Sequence, residues 1–166
     1  MDEIDGSSKA ATLNANGFSV TISPSAPYRD AVLGRVFFAG TVTVTSPLSQ
    51  APVLRTSIDC YLADLVRLRE WLEAHVQELL VSPDCESPTW VSLELELQVT
   101  CLGGDVWHEE EGRLAGDFTI RVLLMVGHAP DGSRVYAGFE GAVAVRTITH
   151  FARDLANLVA RYEHID

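Results

Sequence analysis

Val91-Ser92-Leu93-Glu94-Leu95-Glu96-Leu97-Gln98-Val99-Thr100-Cys101 alternates without interruption, apolar or cysteine at odd positions and polar at even ones. Successive side chains of a strand point to opposite faces, so this stretch reads as a strand with one face in the core and one in water. Half-solvated strands belong to antiparallel sheets, because parallel sheets are covered on both sides. Pro88 leads into the run and Gly103-Gly104 ends it.

Downstream, a loop from Asp105 to Gly112 precedes two further strands, Phe118 to Val126 and Val135 to Arg146. Pro130-Asp131-Gly132-Ser133 between them is a turn, since proline presets φ and Asp and Gly tolerate tight geometry. The two strands therefore form an antiparallel hairpin. Thr147 or Thr149 caps a closing helix in which Ile148, Phe151, Ala152, Leu155, Leu158, Val159 and Tyr162 keep helical spacing.

Upstream, Ser82-Pro83 stops a helix over Cys60 to Leu80. Its apolar stripe is Leu62, Leu65, Val66, Leu72, Val76, Leu79 and Leu80, and Asp59 is its predicted N-cap. Three strands precede it: Phe18 to Ile22, ended by Pro24 and Pro27; Val32 to Thr45; and Val53 to Ile58, after a turn bracketed by Pro47 and Pro52. Met1 to Asn16 is small, polar and aperiodic and reads as a mobile tail, leaving residues 17–166 as one domain. The order β-β-β-α-β-β-β-α predicts an α+β fold: an antiparallel sheet of about six strands with both helices on one face. The same order of elements in the two halves hints at a repeat.

The charge is lopsided. Of a net charge of −11, most comes from Asp84 to Asp117, where nine acids face one base, Arg113. An acidic face attracts basic surfaces and repels phosphate, so nucleic acid is disfavoured as a partner. The acidic start Met1-Asp2-Glu3-Ile4-Asp5 does not resemble a signal peptide, and no apolar run is long enough to cross a membrane. Cys60, Cys85 and Cys101 are odd in number, widely spaced and without a C-x-x-C pair, and read as reduced thiols. Together these point to the cytoplasm.

No catalytic motif stands out. His108-Glu109-Glu110-Glu111 is not H-E-x-x-H, because Gly112 stands where the second histidine would be. A calcium or magnesium site from Asp105, Glu109 and Glu111 is the sharper reading and a solvated acidic loop the better one. Glu94 and Glu96 on one strand face would lie about 6.5 to 7 Å apart, near the spacing of glycosidase carboxylates. Any polar strand face supplies such pairs, and the charged outer face is preferred. There is no G-x-S-x-G elbow, no phosphate-cradling glycine loop and no clustering of the five histidines. The reading implies no enzyme activity and no cofactor.

The element pattern from Phe18 to Tyr162 resembles the WapI-type immunity proteins of bacteria. Asp64-Leu65 with Trp71, Ser92-Leu93-Glu94-Leu95 and Phe151-Ala152-Arg153-Asp154-Leu155 carry the resemblance. It implies a stoichiometric inhibitor that binds a toxin, often a nuclease, and performs no chemistry.

The expected function is an acidic interaction protein that presents Glu94, Glu96, Asp105, Trp107, Glu109, Glu110 and Glu111 to a basic partner protein. Two alternatives stand beside it. One is a small-ligand or enzymatic pocket between sheet and helices. The other is self-association: Leu33, Phe37, Leu123 and Met125 fall opposite the core residues of their strands and would make an apolar far face, suited to a homodimer.

Overall fold

A computed structural model describes residues 9–47, 54–94 and 96–163. The order of elements is β1 (Ala11–Ala15), β2 (Phe18–Arg29), β3 (Val36–Thr45), β4 (Leu54–Tyr61), α1 (Leu62–Leu79), β5 (Trp90–Val91), β6 (Leu97–His108), β7 (Leu114–His128), β8 (Arg134–Ala144) and α2 (Val145–Tyr162). A 3-10 turn, Glu110–Gly112, sits between β6 and β7. The fold is α+β and antiparallel throughout. Its finer arrangement is two four-stranded meanders, β1-β2-β3-β4 and β5-β6-β7-β8, each followed by a helix. The repeat hinted at by the order of elements is thus present as ββββα twice.

The helices bind the halves together. They pack on each other, and each reaches the other half's sheet, α1 onto β6 and α2 onto β1. One core cluster takes Phe18, Val20, Ile22, Phe38 and Val42 from the first sheet and Leu97, Val99, Phe118, Ile120 and Val122 from the second. Leu65, Leu68, Leu72, Phe151, Leu155 and Leu158 of the helices close it. The sheets also touch directly where the Asn16 amide donates to the Ala142 carbonyl at 2.7 Å. A Cβ on Gly141 would lie 2.5 Å from the Asn16 carbonyl oxygen, so only glycine permits that approach. Among the described residues no helix is long and apolar enough to cross a membrane.

Eight strands rather than six follow from local details. Ala11–Ala15, expected within a mobile tail, is a strand whose Ala11 and Leu13 are buried against α2. Five residues with two small or apolar anchors carry too little periodicity to stand out. Residues 1–8, the Pro47 to Val53 turn beyond Pro47, Leu95 and His164 lie outside the described residues. Past Ile22, β2 has only β3 as a neighbour among the described residues, so Pro24 and Pro27 remain within the strand, with a bulge between Ser25 and Pro27.

The alternating run that opens the sequence is itself folded. Trp90 pairs with Val99 and Val91 with Gln98, so the chain doubles back between them. Ser92 makes the turn: its amide donates to the Leu97 carbonyl (2.9 Å) and its hydroxyl accepts from the Leu97 amide (3.1 Å) and donates to Glu96 Oε2 (3.0 Å). Serine supplies in its side chain the hydrogen bonds that a strand neighbour would have made. β3 starts at Val36 because Asp30 Oδ1 accepts from the amides of Val32 and Leu33, closing a tight β2–β3 turn. The helices start without the expected caps. β4 runs to Tyr61, and Asp64 in the first turn of α1 accepts from the Tyr61 amide (2.9 Å); β8 runs directly into α2 at Ala144.

Candidate functional site

Cross-strand pairing builds an aromatic ladder on the outer face of the first sheet. Phe37 of β3 stands opposite Tyr28 of β2 and Tyr61 of β4. The Tyr28 and Phe37 rings stack at 5.6 Å, and Phe37 meets Tyr61 at 3.9 Å between centroids. Such neighbouring pairs stabilise a sheet edge while leaving ring faces available to solvent. Tyr28 is 53% exposed.

A groove of about 490 Å³ lies along this ladder. Tyr28, Phe37 and Asp59 line it from the first sheet, Leu93, Glu94 and Glu96 from the β5–β6 turn, and Met125, His128 and Arg134 from β7 and β8. The turn is tied down there, since the Met125 amide donates to the Glu96 carbonyl at 2.8 Å. Both halves of the chain therefore build the groove.

Three acids, Asp59, Glu94 and Glu96, line it against one arginine, Arg134. Glu96 is 9% exposed, and burial, reinforced by the charges of Glu94 and Asp59, holds its carboxyl above the usual carboxylate range. Buried Cys60 nearby is pushed up to about 12, chiefly by desolvation and further by Glu96 and Asp59. Such a thiol is not a nucleophile at neutral pH. Among the described residues no ion pair is formed by Glu94, Glu96 or Asp59.

The residues expected to form one acidic surface are divided between two ends of the second sheet. Glu94 and Glu96 flank the start of β6. Asp105, Trp107, Glu109 and Glu110 stand at its far end, all exposed. A strand of that length separates them by roughly 35 Å. At the far end the acids are also partly neutralised, because Arg113 and Arg146 line a cleft with Trp107, Glu109 and Asp117. The loop expected from Asp105 to Gly112 is shorter: β6 runs on through Gly103 and Gly104 to His108, and a tight hairpin connection follows, with the Glu109 amide donating to the Arg113 carbonyl at 2.7 Å. Of Glu111 only the backbone is described.

The apolar far face is divided as well. Leu33 sits at the tip of the β2–β3 turn, 55% exposed and off the sheet. Phe37 and Met125 converge on the groove, while Leu123 lies half-buried on the outer side of β7. A bulge between Met125 and Gly127 turns Val126 outward to 48% exposure.

Sequence reasoning missed Tyr28, Asp59, His128 and Arg134 as groove residues. Their one signal was the parity of Asp59 and Tyr61 with Phe37's neighbours, readable only once β2 is carried through its prolines and β4 to Tyr61. It also missed a second feature. Arg29, Arg35 and Arg67 line a pocket of about 420 Å³ with Tyr61, Leu62, Ala63 and Glu163 where β4 passes into α1. Arg35 lies 5.3 Å above the Tyr61 ring, Arg67 pairs with buried Asp64, and Arg29 donates to the Gly34 and Glu163 carbonyls.

No family model matches the chain, and no curated protein matches it either.

Proposed function

We propose that the protein is a non-enzymatic interaction module that takes a basic segment of a partner protein into the groove between its two sheets. The observation that carries this reading is the meeting of Asp59, Glu94 and a desolvated Glu96 beside the Tyr28–Phe37 stack. Carboxylates and ring faces together suit an arginine or lysine side chain, which gains charge-assisted hydrogen bonds and cation–π contact at once. An incoming cation would also relieve the like-charge strain among the three acids. The immunity-type resemblance agrees in kind, since a toxin that acts on nucleic acid presents a basic surface.

The test uses a fluorescent arginine-rich peptide and the full chain, titrated at low and high salt. The Asp59→Lys/Glu94→Lys variant is expected to weaken binding at least about tenfold at low salt, or about 1.4 kcal/mol. Light scattering run alongside reads self-association, because a second copy seated on Phe37 and Met125 would raise the solution mass. Peptide affinity unchanged by the double reversal would contradict the reading.

A second reading is favoured by the arginine pocket. Three guanidinium groups and the first-turn amides of α1 suit a small anion. Titration with inorganic phosphate checks it: Arg35→Ala is expected to abolish any phosphate-induced rise in melting temperature.

A further inference from the structure

The connection between the two halves crosses the second sheet at a place prepared for it. β6 carries a bulge between Cys101 and Gly104, which takes Leu102 and Gly103 out of the ladder with β7. The freed Leu102 carbonyl accepts a hydrogen bond from His75 Nε2 of α1 at 3.1 Å. A carbonyl only accepts, so Nε2 carries the proton and Nδ1 presents its lone pair. The Phe118 ring stands edge-on to the imidazole at 5.2 Å and helps fix its plane.

That lone pair faces a thiol. Cys85 Sγ lies 3.9 Å from His75 Nδ1. Glu78, one turn along α1 from His75, brings its carboxylate to the same point, so the nitrogen, sulfur and an oxygen all lie within 4.8 Å of one another. The segment bearing Cys85 is held in place. Its amide donates to the Ser82 carbonyl, the Ser82 amide to the Glu78 carbonyl, and the Gly104 amide to the Pro83 carbonyl. Ser87 is fastened to Cys101 by hydrogen bonds in both directions. A side chain on Gly103 would lie 2.7 Å from the Pro83 carbonyl oxygen, so glycine is required for this close crossing.

We propose that His75 Nδ1, Glu78 and Cys85 Sγ form a binding site for a borderline divalent metal ion, zinc above all, with the fourth position open to water. A nitrogen, a sulfur and a carboxylate oxygen are the donor set zinc takes, and three protein ligands with one open position is a known zinc arrangement. Tetrahedral zinc with ordinary bond lengths sets its sulfur and nitrogen ligands about 3.5 Å apart, close to the separation already present. The histidine is oriented as metal-bound histidines are, its other nitrogen donating to a backbone carbonyl. A thiol beside a carboxylate gains a reason for its place when a cation sits between them. On binding, the thiol proton passes to solvent as the zinc–sulfur bond forms. The ion would clip the end of α1 to the segment entering the second sheet.

The experiment titrates zinc into the tag-free, chelator-treated, reduced chain, and cobalt in parallel as a spectroscopic probe. One zinc per chain is expected, with a thiolate-to-cobalt charge-transfer band. Cys85→Ser should remove the band and lower zinc affinity by more than about 100-fold, beyond what loss of a mere supporting contact produces. Cys60→Ser should leave both unchanged. Cys85 is half-exposed, so its serine variant should melt like the parent in chelator, which separates metal loss from misfolding. Absence of stoichiometric zinc uptake, or uptake and a band that survive Cys85→Ser, would overturn the proposal.

Discussion

The two ends of β6 carry the same kind of residue in opposite settings. At the start, Glu96 is desolvated, hydrogen-bonded to Ser92 and pressed by Glu94 and Asp59. At the far end, Asp105, Glu109 and Glu110 are exposed, and Glu109 shares a cleft with Arg113 and Arg146. Charge alone makes them look alike in sequence. Solvation sets Glu96 apart: it is buried, whereas Asp59 and Glu94 beside it are as exposed as the far acids, so the near end differs by one desolvated carboxylate held among two solvated ones.

The contrast can be broken first at Ser92. Ser92→Ala removes both the acceptor of the buried Leu97 amide and the donor to Glu96, and should destabilise the protein by about 1–3 kcal/mol in urea unfolding. If the loss is no larger than for an exposed serine, the turn does not depend on that hydroxyl. At the far end the sign reverses. Asp105 stands directly across from Asp117, and like charges facing each other destabilise a sheet. Asp105→Asn is therefore expected to stabilise by about 0.2–1 kcal/mol, read as a higher urea midpoint with unchanged slope.

Glu96 sharpens the comparison through pH. Its folded pKa is raised, chiefly by burial, so the native state holds its proton at a pH where the unfolded chain has lost it. Its contribution is complete below the unfolded value, about 4.3, and is lost as pH rises through the folded value. Glu96→Gln should then stabilise the protein at neutral pH, and its advantage should fade on acidification towards the unfolded value.

The same two ends show what was legible in sequence. The α+β class, the antiparallel pairing, both helices and the turn at Pro130-Asp131-Gly132-Ser133 were readable, because helical spacing and turn chemistry are local. In that turn Asp131 Oδ1 accepts from the Ser133 amide at 2.9 Å, as its residue type suggests. The break at Ser92 was not readable. A serine that bonds around a turn keeps perfect alternation, with no glycine or proline to mark it. Asp64 and His75 were hidden on the helix for a related reason: both are polar yet buried, made tolerable by Arg67 and the Leu102 carbonyl, which lie outside any hydropathy pattern. The groove was half-visible. Glu94, Glu96, Phe37 and Met125 were each singled out, but for two different surfaces, and only the joining of the two sheets brings them to one place.

The central claim is that the near acids, and not the far ones, meet a basic partner. Asp59→Lys/Glu94→Lys and Glu109→Lys/Glu110→Lys make the same change in net charge at the two ends. Their affinities for one arginine-rich peptide, measured at the same low ionic strength, test the claim most directly. The account predicts at least about a tenfold loss for the near pair and less than about a twofold change for the far pair. Equal losses would mean that the peptide reads net charge alone, and a larger loss at the far end would contradict the groove.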